Sequence, residues 1–334
     1  MATYKQIFGK AIKFLDSDPS AEGIGQVWYN SVSNTFKTFY NPAAWSAGGN
    51  LNTARDSLMT ACRATIAANL CFGGHTSPAL VTATESYNGT AWTAVNSLPT
   101  AKQLGGGAGT QGAALCYGGN LPGVTNTTES WDGTNWTAGN TMNTSREFSG
   151  STGAGTQTAA LAQGGGNPAP STTVTEEFDG TSWTTTPATM NTARSNKAGT
   201  GTQTAALAIG GAPPPGTPFA MTTTEAYNGT SWTSKNNMNT ARRRAGGAGT
   251  SAAGLAIGGL VSGPAVTTST EIFDGTDWTA GSALGTGRYY LGGSGAVNND
   301  AMAIGGLTTG SAASYTNATE EYAQAQSVKT ITTS

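Results

Sequence analysis

Short apolar runs alternate with glycine-rich and polar stretches along most of the chain, and four such segments recur in a fixed order. Within residues 194–235 they span 194–201 (strand A), 204–211 (strand B), 222–227 (strand C) and 231–235 (strand D). Runs of this length, bounded by turn-forming residues, are typical of β-strands. The pattern predicts a repeating unit of four strands.

Regularly spaced tryptophans set the number of units. Successive steps between them are 47, 44, 47, 49 and 46 residues, and a Gly-Gly doublet also ends an apolar run six times. A period of 40 to 50 residues is typical of four-stranded propeller blades. The chain therefore predicts six blades, marked by Trp45, Trp92, Trp136, Trp183, Trp232 and Trp278.

An incomplete last unit predicts how the ring closes. An Asn-Gly or Asp-Gly pair joins strands C and D in five units, where it suits a two-residue primed turn. After 319–322 the chain continues without such a turn and without a tryptophan, whereas Trp45 has no strand C before it. We expect the strand around Trp45 to pair with 319–322, which closes the ring and removes its open edges.

The order of these markers resembles that of Kelch-repeat β-propellers: a cation near the start of strand A, a glycine doublet after strand B, an aromatic residue in strand C and tryptophan in strand D. The resemblance covers about residues 42–324, although an aromatic residue precedes the doublet only at Phe72 and Tyr117. It implies an all-β, six-bladed propeller. The expected domains are an N-terminal appendage (1–40), the propeller (41–325) and a C-terminal tail (326–334).

The first forty residues do not repeat. Polar and apolar positions alternate between Val27 and Phe39, with Ser33 and Asn34 at the centre, which predicts a β-hairpin. The segments IFGK.IKFL..DP and GQVWYNS.SNTFK resemble leaders of structural proteins from marine tailed bacteriophages, which implies attachment to a virion. The alternative is a cap on the propeller. The residues expected to attach to a partner are Ile7, Phe8, Ile12, Phe14, Trp28 and Phe36.

Composition limits the classes of function. Gly contributes 48 of 334 residues, charged residues only 10%, and the net charge is −2. This balance argues against binding to nucleic acid, and no apolar run is long enough for membrane insertion. The single histidine, His75, argues against a catalytic triad or a copper site and is expected to be a solvated loop residue. We expect no cofactor, no metal, no catalytic residues and no disulfide among the three cysteines.

One glutamate and one cation recur in every unit. A group that is needed six times indicates a structural role and not a catalytic one, so we expect hydrogen bonds or ion pairs that join one blade to the next. The glutamates are Glu85, Glu129, Glu176, Glu225, Glu271 and Glu320, and the cations are Arg55, Lys102, Arg146, Arg194, Arg242 and Arg288.

The repeats differ most in the loops between strands B and C. Antiparallel strand order places these loops on the same face as the connections between strand D and the next strand A. Variable loops often carry function, although unselected drift would also explain the variation. The expected ligand-binding residues on this face are His75, Phe219, Arg243, Arg244 and Tyr315.

These observations favour a non-enzymatic virion protein, such as a tail fibre, tail-associated or decoration component, present in multiple copies. Residues 1–40 would bind other virion proteins, and the propeller would bind a host-surface glycan. Two alternatives stay open. One is a sialidase-like hydrolase, which needs paired carboxylates, and the other is an intracellular Kelch adaptor, for which forty N-terminal residues are too few to form a BTB domain.

Overall fold

The computed structural model describes residues 13–19, 27–40, 43–147, 153–166, 171–213, 220–261, 263, 265–309, 314–324 and 327–331. In these ranges, no helix is long and apolar enough to cross a membrane. The chain divides into two compact units, one of residues 45–323 and a smaller one formed by the two ends of the chain.

The smaller unit contains a four-stranded sheet in which strands from both ends of the chain pair. The predicted hairpin is confirmed: Val27–Asn30 pairs with Thr35–Tyr40 across a turn at residues 31–34. Lys13–Leu15 adds a parallel strand on one side. On the other side Ser327–Thr330 pairs with Thr35–Tyr40, so residues predicted to be a tail form a strand, because they satisfy the free edge of the hairpin.

The larger unit is a six-bladed propeller of antiparallel sheets, as predicted. Five blades have four strands each, and in the described part of blade 3 Gly155 bridges to Ala160 in the place of strand A. In chain order the strands are Met59–Thr60, Asn69–Phe72, Thr84–Tyr87 and Trp92–Val95 in blade 1; Gly106–Thr110, Ala113–Tyr117, Thr128–Trp131 and Trp136–Gly139 in blade 2; Leu161–Gln163, Thr175–Phe178 and Trp183–Thr185 in blade 3; Ala198–Thr202, Ala205–Ile209, Thr224–Tyr227 and Trp232–Lys235 in blade 4; Gly246–Gly249, Gly254–Ile257, Thr270–Phe273 and Trp278–Ala280 in blade 5; and Gly292–Val297, Asp300–Ile304, Thr319–Gln324 and Ala43–Ala47 in blade 6. Short hairpins, His75–Thr76 with Ala79–Leu80 and Asn120–Leu121 with Gly123–Val124, lie in two of the loops between strands B and C.

Blade 6 closes the ring with one strand from near the N-terminus, as predicted. Ala43–Ala47 lies next to Thr319–Gln324 in that sheet. The Trp45 ring packs against Tyr322 with centroids 5.0 Å apart, and the Gly48 N–H donates to the Thr319 carbonyl at 2.9 Å. Both ends of the propeller therefore belong to the same blade.

A ring of identical hydrogen bonds joins each blade to the one before it. The indole Nε1–H of each strand D tryptophan donates to the hydroxyl of a threonine in strand C of the preceding blade, at 2.9–3.0 Å. The pairs are Trp45–Thr270, Trp92–Thr319, Trp136–Thr84, Trp183–Thr128, Trp232–Thr175 and Trp278–Thr224. This explains why threonine precedes glutamate in every repeat, and it places Trp45 in blade 6.

Buried ion pairs stabilise each blade internally. Each repeat cation contacts the repeat glutamate of its own blade, five of them at N–O distances of 2.5–2.9 Å, and all twelve side chains are less than a tenth exposed. The pairs are Arg55–Glu85, Lys102–Glu129, Arg146–Glu176, Arg194–Glu225, Arg242–Glu271 and Arg288–Glu320. The glutamates are buried and paired, as expected, but their partners lie within the same blade and not in the next one.

The same carboxylates also accept backbone hydrogen bonds from the connection that leads into five of the six blades. In five blades a carboxylate oxygen accepts a backbone N–H from that connection, such as Asn143 N–H to Glu176 at 2.8 Å. In blade 2 the corresponding residue is Pro99, which has no N–H to donate. There Lys102 donates instead to both Glu129 and the hydroxyl of Thr127.

Apolar side chains pack between neighbouring blades. Phe72 of blade 1 meets Trp136 of blade 2 edge to face with ring centroids 4.8 Å apart, and Tyr117 meets Trp183 one blade on in a tilted arrangement at 5.0 Å. Cys62, Cys71 and Cys116 are buried as free thiols. Close approach of the inner strands explains the glycine content, since a Cβ on Gly153 would lie 1.5 Å from the Gly107 carbonyl oxygen.

The turns between strands C and D differ from the predicted two-residue primed turn. Tyr87 pairs with Trp92, so the loop has four residues, and only the glycine of each Asn-Gly or Asp-Gly pair has a positive φ, between 89° and 99°. The Asn88 side chain instead accepts the N–H groups of Thr90 and Ala91 at 3.0 and 2.9 Å. An aspartate oxygen does the same in three other loops, which explains why Asn and Asp interchange there.

Candidate functional site

One face of the propeller, here called the loop face, carries the start of every strand A and the loops between strands B and C. In each blade the residue after the repeat cation forms a β-bridge with the residue that follows the glycine doublet. Asp56 pairs with His75 in this way, and Tyr289 pairs with Leu307. The predicted sharing of one face by the two sets of connections is therefore confirmed.

Around the propeller axis on this face, one residue from each described blade adopts a left-handed backbone conformation. These residues lie two positions after the repeat cation and have φ between 52° and 58°. Their backbones form a ring in which the N–H groups of Ser57, Leu104, Arg244 and Tyr290 donate to the carbonyl of the equivalent residue in the preceding blade at 2.6–3.0 Å. Its members are Ser57, Leu104, Asn196, Arg244 and Tyr290; the corresponding residue of blade 3, Phe148, lies outside the described residues.

This axial ring places unlike side chains together, although the repeats around it are alike. A left-handed conformation costs a non-glycine residue about 1–2 kcal/mol, and the hydrogen bonds between blades offset that cost. Each blade contributes a different residue type to this ring, so its side chains do not follow the sixfold repeat of the strands. A ligand on the axis would meet a fixed, asymmetric set of groups.

Arg244 and Tyr290, on neighbouring blades, are in contact within this ring. The guanidinium carbon of Arg244 lies 4.3 Å from the centroid of the Tyr290 ring, and its Nε–H donates to the Asn196 side chain at 3.3 Å. Burial raises the pKa of Tyr290 to about 12, so its hydroxyl is protonated at neutral pH. Burial, with a smaller contribution from the Arg244 charge, lowers the pKa of the adjacent Arg243.

A second cluster lies where blades 1 and 6 meet. Nδ1 of His75 lies 2.8 Å from the Tyr315 hydroxyl and 3.5 Å from Oδ1 of Asp56. The His75 side chain is 30% exposed, less than expected for a solvated loop residue, because a bridge to Asp56 and a contact with Tyr315 of blade 6 half-bury it. Burial raises the pKa of Asp56 to about 6, even though His75 acts in the opposite direction.

Between blades 3 and 4, the loop face contains a cavity of about 400 Å³. Five hydroxyl side chains line it together with Arg146, Gly166 and Ala193; they are Thr144, Ser145, Ser171, Thr172 and Thr173. Closely spaced neutral hydroxyls suit a polar, uncharged ligand group.

The predicted ligand-binding residues fall into these clusters in part. His75 and Tyr315 are in contact, and Arg243 and Arg244 are neighbours on blade 5, while Phe219 lies outside the described residues. Asp56, Asn196 and Tyr290 were missed. The signal for them is the pair of residues after each repeat cation, which reads Asp-Ser, Gln-Leu, Glu-Phe, Ser-Asn, Arg-Arg and Tyr-Tyr in the six blades.

The predicted attachment residues differ in exposure. Phe14 is 56% exposed and Phe36 37%, and both pack against Tyr29 with ring centroids 5.2 Å apart. Trp28 is instead buried in its own unit, where Nε1–H donates to Asp18 at 3.2 Å, so it supports the fold of that unit and offers no contact surface. Ile7, Phe8 and Ile12 lie outside the described residues.

Within the described part of the chain, no group of three or more His, Cys, Asp and Glu side chains is placed to hold a metal ion.

At the other end of the axis, Arg63 of blade 1 donates from Nη1 to the carbonyl of Gly201 on blade 4 at 3.3 Å. These two blades stand opposite each other in the ring, so this side chain crosses the axis.

Lys197 is a buried amine whose replacement should stabilise the protein. It is fully buried, its Nζ has no hydrogen-bond partner among the described residues, and burial lowers its pKa well below 10.5. Leucine occupies the same position in blades 1 and 6, at Leu58 and Leu291. We expect Lys197→Leu to raise the free energy of unfolding by about 1–3 kcal/mol at pH 7 in urea titrations.

The pH dependence separates this effect from simple repacking. The unfolded chain binds the lysine proton more tightly than the folded protein, so the contribution of Lys197 to stability improves as pH rises toward 10.5. The gain from Lys197→Leu should therefore shrink between pH 7 and pH 10. The exposed Lys235, replaced by leucine, serves as the control and should show neither the gain nor its pH dependence.

Comparison with solved structures supports the architecture. A structure described as "Structure of YjhT", a Kelch-repeat propeller protein, matches this chain with a TM-score of 0.65 and 14% sequence identity. The match covers 85% of this chain and 99% of the other. At this identity the likeness concerns the fold alone. No family model matches the sequence, and no curated protein matches it.

Proposed function

We propose that this protein is a non-enzymatic virion component whose propeller binds a host-surface glycan through the loop face. The observation that carries the glycan proposal is the axial ring, because it breaks the sixfold repetition with Arg244, Tyr290 and Asn196 in contact. Sugars offer C–H faces that pack on aromatic rings and hydroxyls that pair with guanidinium and amide groups. The hydroxyl-lined cavity between blades 3 and 4 adds further polar contacts on the same face.

The small unit is the proposed attachment element. Exposed large apolar side chains are concentrated there: of the five such residues in the described ranges, Phe14, Val32, Phe36 and Ile331 belong to this unit and only Val297 to the propeller. Exposed apolar side chains grouped on a small sheet are typical of a protein contact. We expect this contact to be with another virion protein, with several copies of the chain in each particle.

Glycan binding can be tested with the purified full chain and a panel of bacterial lipopolysaccharides and capsular polysaccharides. Arg244→Asn removes the guanidinium and keeps a residue type that tolerates the left-handed conformation, as Asn196 does in the preceding blade. We expect binding to at least one polysaccharide and a loss of tenfold or more in Arg244→Asn. Lys235→Asn, on an outer strand, should bind normally. Absence of binding across the panel, or equal binding by both variants, would contradict the proposal.

Attachment needs a separate experiment. Deleting residues 1–40 together with 326–334 removes both halves of the small sheet and leaves the propeller strands in place. The shortened chain should keep its β-sheet circular dichroism and its polysaccharide binding, yet be absent from purified particles by mass spectrometry. Incorporation at the normal level would show that the small unit is not the attachment element.

A further inference from the structure

His75 has two partners for a single ring nitrogen. Its Nδ1 lies 2.8 Å from the hydroxyl of Tyr315 and 3.5 Å from Oδ1 of Asp56. An imidazole nitrogen either accepts one hydrogen bond through its lone pair or donates one through its N–H. The hydroxyl and the carboxylate therefore compete for the same atom, and the protonation of the ring decides between them.

The distances correspond to the neutral ring. When Nδ1 carries a lone pair, it accepts the Tyr315 hydroxyl proton, which matches the shorter contact. Asp56 cannot donate to this nitrogen as a carboxylate, and its buried Oδ1 has no hydrogen-bond partner among the residues that the structure describes. A buried acceptor without a donor is costly, so this arrangement leaves an interaction unmade.

Protonation of the ring reverses the preference. One proton from solvent on Nδ1 gives an N–H that donates to the Asp56 carboxylate, and the Tyr315 hydroxyl keeps its own proton but loses its acceptor. We propose that Asp56, His75 and Tyr315 form a proton-operated switch in which protonation of His75 transfers its hydrogen bond from Tyr315 to Asp56 and frees Tyr315 from blade 1.

The backbone determines which partner moves. Asp56 and His75 are tied together by two backbone hydrogen bonds of 3.1 and 2.9 Å, so they remain neighbours in both states. Tyr315 comes from the loop between strands B and C of blade 6, where it bridges to Leu307. The side chain released is therefore that of Tyr315, at the boundary between blades 1 and 6.

Asp56 and the tyrosines and arginines around it set the electrostatic surroundings of the switch. Burial raises the pKa of Asp56 to about 6, which brings it into the range where imidazoles ordinarily titrate. Tyr289, Tyr290 and Tyr315 lie in the electrostatic field of Asp56, and burial raises the pKa of each, so all three hydroxyls stay protonated. Arg243 and Arg244 act on Tyr289 and Tyr290 with positive charge.

The single histidine makes the switch directly measurable, and the measurement needs no ligand. In the full chain labelled with ¹⁵N-histidine, NMR reports the state of one imidazole. We expect Nδ1 to be an unprotonated acceptor at pH 8 and a donor at pH 5. Asp56→Asn removes the group that favours the protonated ring, so the titration midpoint should move to lower pH. Tyr315→Phe removes the group that favours the neutral ring, so the midpoint should move to higher pH.

Hydrogen exchange tests the release of Tyr315. After correction for the intrinsic pH dependence of exchange, amides of residues 314–318 should lose protection severalfold between pH 8 and pH 5 in the unchanged protein. In Tyr315→Phe the hydrogen bond is missing at both pH values, so no such difference is expected. The proposal is overturned if His75 stays neutral at pH 5 because Asp56 takes the proton, if the two variants move the midpoint in the same direction, or if protection does not change with pH.

Discussion

Replacing Arg146 by methionine should lower the free energy of unfolding by about 3–5 kcal/mol, because Glu176 would remain buried without its cation. Arg146 and Glu176 are both fully buried, and their N–O distance is 2.6 Å. Arg146 also donates to the backbone carbonyl of Val174 at 2.8 Å, so the loss includes a contact between the connection that enters blade 3 and the residue before strand C. Urea titration followed by tryptophan fluorescence measures the effect.

A second substitution separates the cost of the unpaired Glu176 charge from the cost of lost packing. In the double variant Arg146→Met, Glu176→Gln, the side chain at 176 is neutral but still accepts the Asn143 N–H, so at least half of the lost stability should return. Lys102→Arg is the matched control, since the other five blades have arginine there, and its effect should stay within about 1 kcal/mol. A loss below about 1 kcal/mol in Arg146→Met would show that the buried pair does not hold the blade.

Ending the chain after residue 318 should remove the cooperative unfolding of the propeller. This truncation deletes strand C of blade 6, which lies between Asp300–Ile304 and the closing strand Ala43–Ala47. It also removes Thr319, the acceptor for the Trp92 indole of blade 1. Blade 6 would lose its closure and blade 1 one of its links to blade 6, so we expect a melting temperature lower by more than 10 °C or no single transition.

A chain that ends after residue 324 is the matched control. It keeps all strands of the propeller and loses only Ser327–Thr330, which belongs to the small sheet. Its main thermal transition by calorimetry should stay within a few degrees of that of the full chain. If both truncations melted alike, closure of the ring by 319–324 would not be what stabilises the propeller.

The architecture could be predicted because the same pattern of strands and turns recurs six times in the sequence. The spacing of Trp92, Trp136 and the other strand D tryptophans gave the number of blades, and the missing sixth Asn/Asp-Gly pair gave the closure at Trp45. The burial and pairing of Glu176 and its equivalents could be predicted from their regular occurrence, but not that each partner lies in the same blade. Repetition averages over blades, so a feature common to all of them is visible in one sequence.

The site was harder to predict because it depends on differences between blades. Spacing does not reveal that Arg244 and Tyr290 adopt positive φ, nor that their side chains meet across neighbouring blades. The contact of His75 with Tyr315 joins residues 240 positions apart in the sequence, through a loop without a repeated pattern. The turn type failed for a related reason: the same Asn-Gly letters suit a primed turn and a four-residue loop, and the side-chain hydrogen bonds of Asn88 favour the loop.

The closing blade also has a mechanical consequence. The propeller begins and ends in neighbouring strands, Ala43–Ala47 and Thr319–Gln324, and only residues 41–42 and 325–326 separate these from the paired strands Thr35–Tyr40 and Ser327–Thr330. Tension applied through the small unit would reach blade 6 along two adjacent strands at once. Force that pulls both strands in the same direction would be shared by the backbone hydrogen bonds of blade 6. Force that pulls the two strands apart would instead break the hydrogen bonds of the closing strand one at a time.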